Sequence, residues 1–212
     1  VTGLGAPGLI ETMRLREDGT IDRLPLHLDR LERSAAALGV PYDRHKVAAA
    51  VDDLRPRGQD QRIRLELAPD GGLGIETRPC PPADPCTPWR IAVAETRLQS
   101  TDGLLRHKTT CRNTYLRARQ EFPAGEIDEV LLCNERGELC EGTITSLFLQ
   151  MPDTEALRTP DLSCGLLRGV LRQELLDTGK ACEAVLTPAD LRSAAQIFVG
   201  NSLRGLIPAA LP

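Results

Sequence analysis

The apolar pattern of this chain changes period repeatedly, and that excludes an all-helical or all-strand fold. Leu24, Leu28, Leu31, Ala35 and Leu38 recur at helical spacing and stop at Gly39. Before them, residues 8–15 read as a strand followed by a turn at Glu17-Asp18-Gly19-Thr20. Residues 46–54 read as a second helix, ended near Pro56. Arg62-Ile63-Arg64-Leu65-Glu66-Leu67 then alternates, as a strand with one wet face does. Pro69-Asp70-Gly71-Gly72 is a turn into a short strand over 73–76. A proline- and cysteine-rich connection fills 79–88, and a further strand is expected over 89–95.

The second half has the same mixture. A helix is expected over 112–121, an apolar strand over 129–133, a turn at Asn134-Glu135-Arg136-Gly137, a return over 138–141 and a strand over 145–149. Gly165 precedes a helix running to about Asp177, with Leu167, Val170, Leu171 and Leu175 inward and Gly179 at its end. Thr187-Pro188-Ala189-Asp190 is a helix start: a threonine cap, proline in the first turn and an acid beside it. A strand over 196–199 feeds the polar turn from Gly200 to Gly205. The expectation is an α+β fold in two lobes, a small α/β domain over 1–100 and a larger one over 101–212, hinged near 96–104.

Composition narrows the function. The net charge is −4 and the arginines are scattered, which argues against nucleic-acid and anionic-membrane partners. No apolar run approaches the roughly 20 residues that span a bilayer, and no signal peptide shows, so a cytoplasmic location is expected. The 7 cysteines include no CxxC pair and the 3 histidines are spread out, so reduced thiols and no metal centre are expected. No P-loop, dinucleotide glycine fingerprint, Gly-x-Ser-x-Gly or His-Glu-x-x-His is present.

Three stretches carry chemistry. Lys108 follows Arg106 and His107, after a loop and before a helix. Neighbouring positive charge and desolvation both lower an amine's pKa, which suits a nucleophile; an ordinary solvated lysine is the competing reading. Glu141 ends an apolar strand, where it is either a solvated carboxylate or the partner of a heterocyclic nitrogen. Thr143 and Thr145 share its face if the strand stays extended, or are there for β-propensity alone. Gly165-Leu166-Leu167-Arg168-Gly169 opens a helix whose first N–H groups would suit an anion, or it is a plain turn. Arg30, beside the apolar stripe of the first helix, is a surface arginine or an inward phosphate ligand. Asn201 and Ser202 form a polar turn able to add one hydrogen bond. An amine, an acid and an anion cradle are together the parts list for holding pyridoxal phosphate (PLP).

The segments Leu9-Ile-Glu-Thr-Met-Arg14, His27-Leu-Asp-Arg-Leu-Glu32, His107-Lys-Thr-Thr110, Asp128-Glu-Val-Leu-Leu132, Glu141-Gly-Thr-Ile-Thr145, Thr159-Pro160, Cys164-Gly-Leu-Leu-Arg-Gly169 and Asn201-Ser-Leu-Arg-Gly205 jointly resemble the class IV aminotransferases, the fold-type IV PLP enzymes. The resemblance covers nearly the whole chain, and its wording is closest to the 4-amino-4-deoxychorismate lyases. It implies two α/β lobes, PLP as cofactor, a small-molecule amine substrate and a homodimer. Lys108 would react with the cofactor aldehyde and shuttle the proton. Glu141 would face the pyridine nitrogen, with Thr143 and Thr145 beside it. Arg30, the backbone N–H groups of Leu166 and Leu167, and Ser202 would hold the phosphate, and Arg14, Arg106 and Arg204 would meet substrate carboxylates. The reaction implied is a lyase step releasing pyruvate and 4-aminobenzoate, in folate synthesis. The alternatives are a branched-chain or D-amino acid aminotransferase and a PLP-binding paralogue without turnover. The chain departs from the family pattern in three places. The family usually has a longer segment before Gly8, many relatives have asparagine where Ser146 stands, and aminotransferases often have a hydroxyl residue where Leu167 stands.

Overall fold

The structure is a computed structural model that describes residues 7–80, 87–152 and 154–212. Most of the proline- and cysteine-rich connection, including Cys86, lies outside the described residues. The chain divides into two compact units: the described part of Val1–Pro82 with His107–Cys111, and the described part of Ala83–Arg106 with Arg112–Pro212. The lysine segment, on the far side of the boundary expected near residue 100, therefore packs with the first unit.

The first unit contains β1 (Leu9–Leu15), α1 (Leu24–Leu38), α2 (Arg44–Asp52), β2 (Gln61–Leu67) and β3 (Leu73–Pro79). The strands form an antiparallel sheet in the order β1-β2-β3. Burial alternates along β2, as the sequence pattern requires, and its inward side chains meet Leu9, Met13 and Leu15 of β1 and Leu28, Leu31 and Ala35 of α1. Gly39, at φ 67, ends α1 in a left-handed cap, and its N–H returns to Ala35 O. α2 starts two residues before the expected Lys46, because the Asp43 side chain accepts the Lys46 N–H and caps it.

The second unit contains β4 (Trp89–Leu98), a 3-10 turn (Gly103–Arg106), α3 (Asn113–Gln120), β5 (Glu129–Asn134), β6 (Leu139–Gly142), β7 (Ser146–Gln150), β8 (Leu157–Pro160), a second 3-10 turn (Leu162–Cys164), α4 (Val170–Asp177), β9 (Ala181–Ala184), α5 (Pro188–Ser193), β10 (Gln196–Asn201) and β11 (Gly205–Ala210). Its mixed sheet has the order β6-β5-β4-β11-β10-β7-β8-β9. β5 is buried along its whole length, which explains its unbroken apolar run. β4 runs through part of the stretch read as a hinge. Thr187 caps α5 as expected, and with Asp190 it forms a capping box.

The helix expected directly after Gly165 begins only at Val170. Gly165 has φ 86 and ends the 3-10 turn, a conformation that cannot open an α-helix, and Gly169 becomes the N-cap. β8, β9 and β11 have no counterpart in the sequence reading. β8 and β9 are 4 residues each, too short to show a period, and β11 carries Pro208, which argues against a strand.

Candidate active site

The candidate residues are divided between the two units. In the first, the lysine segment lies along the outer edge of β1. The Ile10 N–H donates to Lys108 O at 2.8 Å and the Thr110 N–H to Gly8 O at 2.9 Å. The Gly8 N–H adds a bond to Thr110 Oγ1 at 3.2 Å. Lys108 is thus fixed through its backbone on a strand edge and is half-buried. His107 Nδ1 lies 3.0 Å from Ser34 Oγ, which ties the same segment to α1.

Strand alternation points Glu11 at α1 together with Leu9, Met13 and Leu15. There it meets His27 and Arg30, which with Ser34 form a buried polar stripe beside the apolar one. Arg30 Nε donates to Glu11 Oε1 at 2.8 Å and Nη2 to Oε2 at 2.6 Å, a two-pronged pair. His27 Nδ1 lies 2.6 Å from Oε2. Burial pushes the Glu11 carboxyl upward, but Arg30 and His27 more than reverse this and leave it at about 2. Burial lowers the His27 pKa despite the adjacent carboxylate, and because an ionised carboxylate only accepts, the His27 Nδ1–H is the donor. Arg30 is therefore buried, as an inward ligand must be, and two of its nitrogens grip Glu11.

In the second unit, Glu141 is buried on β6 opposite Leu132. Its Oε1 accepts the Tyr115 hydroxyl at 2.7 Å and the Leu167 N–H at 3.2 Å. Burial, reinforced by the charge of Glu141, holds the Tyr115 phenol far above its usual range, so it stays a donor. The Arg112 guanidinium stacks 4.6 Å from the Tyr115 ring centre and bonds to Thr143 O.

Two expectations change here. β6 ends at Gly142, so Thr143 and Thr145 do not continue the face of Glu141. Their hydroxyls instead reach Glu129 Oε1 and Oε2, at 2.5 and 2.8 Å. The Leu167 N–H, expected at a phosphate, is given to Glu141, and Leu166 is fully buried ahead of α4. Arg14 pairs with Asp60 at 2.5 Å in the first unit, whereas Arg106 and Arg204 belong to the second, where Arg204 lies 5.5 Å from the Trp89 ring. Ser202 is buried. Asn201 Oδ1 accepts the Leu203 and Arg204 N–H groups, and its Nδ2 donates to Ile144 O at 3.1 Å, so its amide braces two turns.

Sequence reasoning did not single out Glu11, His27, Tyr115 or Glu129. Glu11 and Glu129 had a readable signal: each is an acid in register with apolar strand residues, where a charge needs a dedicated partner.

The family model for amino-transferase class IV matches residues 8–211. The chain belongs to this family. A Mesorhizobium loti protein assigned as an amino-acid aminotransferase is 48% identical and superposes with a TM-score of 0.90, covering 97% of this chain and 99% of that one. The 4-amino-4-deoxychorismate lyase of Pseudomonas aeruginosa is 25% identical, with a TM-score of 0.79 over 97% of this chain and 83% of its own. The branched-chain aminotransferase of Thermoproteus uzoniensis, 24% identical with a TM-score of 0.84 over 97% and 78%, shares the fold. This class IV chain is thus a PLP-dependent enzyme of the aminotransferase and lyase group. Taken unit by unit, the residue types suit that cofactor: the first holds a backbone-anchored lysine and a buried arginine, the second a buried acid whose Oε1 takes a phenol and an amide N–H. Among the described residues, no helix is long and apolar enough to cross a membrane.

Proposed function

We propose that the enzyme is an amino-acid aminotransferase, moving an amino group between an amino acid and a 2-oxo acid. The observation that carries this reading is the 48% identity to the Mesorhizobium loti protein across nearly both whole chains. It outweighs the 25% likeness to the Pseudomonas aeruginosa lyase, which keeps the lyase as the second reading.

Bound PLP supplies an electron sink for the carbanion formed beside the substrate nitrogen. In this reading Lys108 would hold the cofactor through its aldehyde, and its amine would serve as the base that takes the substrate Cα proton and as the acid that gives it back. Glu141, whose Oε1 is fixed by Tyr115 and the Leu167 N–H, would keep a proton on the pyridine nitrogen. Arg30 would hold the phosphate, with Glu11 restraining its guanidinium. An aminotransferase and a lyase need the same Lys108 and Glu141 and differ in where the proton and electrons go next.

The test is a product assay on purified, PLP-loaded protein. A panel of branched-chain and D-amino acids with 2-oxoglutarate is expected to yield glutamate, and Lys108→Ala to yield none. Pyruvate released from 4-amino-4-deoxychorismate, with no amino transfer above the Lys108→Ala background, would replace this reading with the lyase.

A further inference from the structure

We infer that Glu129 is a positioning residue for Glu141, acting through the turn between β6 and β7; this rests on reading Glu141 as the partner of the pyridine nitrogen. Glu129 is completely buried. Its Oε1 accepts the Val130 N–H at 2.8 Å, the Thr143 N–H at 3.0 Å and the Thr143 hydroxyl at 2.5 Å. Its Oε2 accepts the Ile144 N–H at 3.0 Å and the Thr145 hydroxyl at 2.8 Å. The Arg119 guanidinium stands 3.8 Å away, beyond hydrogen-bond reach. All of these hydrogen bonds come from neutral donors, with Arg119 as a longer-range counter-charge, and a buried ionic group of this kind adds little stability over an apolar side chain filling the same space. What it provides is geometry.

That geometry belongs to the residues directly after Glu141. The Gly142 N–H closes the turn onto Thr145 O at 2.8 Å. Arg112 takes Thr143 O, and Asn201 takes Ile144 O at 3.1 Å. The turn is thereby held on its N–H side by Glu129 and on its carbonyl side by two other residues. Gly142 passes so close beneath the carboxylate that a Cβ there would lie 2.7 Å from Glu129 Oε2 and 2.4 Å from Thr145 Oγ1. A side chain at Gly142 would have to displace the Glu129 carboxylate and the Thr145 hydroxyl, so the peptide following Glu141 and the Glu129 carboxylate are packed directly against each other. Glu129 therefore sets the backbone from which Glu141 projects, two residues after the point where Leu139 enters β6.

The experiment is a double-mutant cycle on PLP affinity. It titrates cofactor into stripped protein and also records the pH midpoint of the bound cofactor's visible absorption. Glu141→Gln and Glu129→Gln are each expected to weaken PLP roughly tenfold, and the double variant to be no weaker than Glu141→Gln alone. Glu129→Gln is also expected to move the absorption midpoint in the same direction as Glu141→Gln. Additive losses, or an unmoved midpoint, would leave Glu129 a merely structural acid and overturn the proposal. Indifference of PLP affinity to Glu141→Gln would overturn the reading of Glu141 and this proposal together. If Glu129→Gln does not fold, Thr145→Val removes one hydroxyl from the same carboxylate, and its cycle with Glu141→Gln decides by the same criterion.

Discussion

Glu11 and Arg30 meet inside the first unit through two parallel hydrogen bonds of 2.8 and 2.6 Å, with Glu11 only 2% exposed. The pair binds β1, the strand that carries the lysine segment on its edge, to the helix that carries the candidate phosphate ligand. Replacing Glu11 by Gln leaves a buried guanidinium without its counterion. The expected cost is about 3–5 kcal/mol of stability, checked by urea unfolding at neutral pH.

The same pair sets an acid limit. The Glu11 carboxyl sits at about 2, below the 4.5 of an ordinary glutamate, so the unfolded chain takes up its proton first. Its contribution is complete above pH 4.5 or so and is lost as pH falls towards 2. The difference corresponds to roughly 3 kcal/mol. Urea midpoints at pH 6 and pH 3 should differ more in the wild type than in Glu11→Gln.

Tyr115→Phe removes one of the two donors seen on Glu141 Oε1 and leaves the ring beneath Arg112. A loss of about 1–2 kcal/mol in stability is expected, with weaker PLP binding and little change in secondary structure. Circular dichroism melts and cofactor titration measure the two effects separately.

Borohydride treatment of the PLP-loaded protein is expected to leave the cofactor covalently attached to Lys108, read by peptide mass spectrometry. Lys108→Ala should carry none. Attachment at Lys46 or Lys180 instead would show the assignment of Lys108 to be wrong.

Two glycines separate backbone strain from close packing. Gly137 has φ 79 with nothing within 4 Å of an added Cβ, so Gly137→Ala should cost only about 1–2 kcal/mol. Gly165 has φ 86, and its Cβ would lie 2.6 Å from Ser100 Cα, a backbone atom that cannot swing away. Gly165→Ala should therefore be the more destabilising by several kcal/mol, as thermal melts would show.

The periodic elements were legible because their signal is local. α1 spans the residues that its leucine spacing and Gly39 indicate, and the hairpin at Asn134–Gly137 forms as its turn residues require. The short strands were hidden because their pairing comes from distant neighbours: β9 is aligned by β8, and Pro208 in β11 lies opposite Phe198. The candidate site could be named in sequence by residue type but not by its wiring. Lys108, Glu141 and Arg30 are candidates in sequence, with their roles implied by the family resemblance, whereas the partners of Thr143, Thr145 and the Leu167 N–H depend on which buried carboxylate the fold brings near them. Long-range choices of that kind leave no periodic trace.

Residues 107–110 cover the outer rim of β1, although more than 90 positions separate the two in the chain. A fragment cut near residue 80 would expose that rim as a row of unanswered amide and carbonyl groups, open to pairing with any passing strand. The amino-terminal unit is therefore not continuous in the chain: it is completed by five amino acids, His107–Cys111, reached only after Ala83–Arg106, which belongs to the second unit.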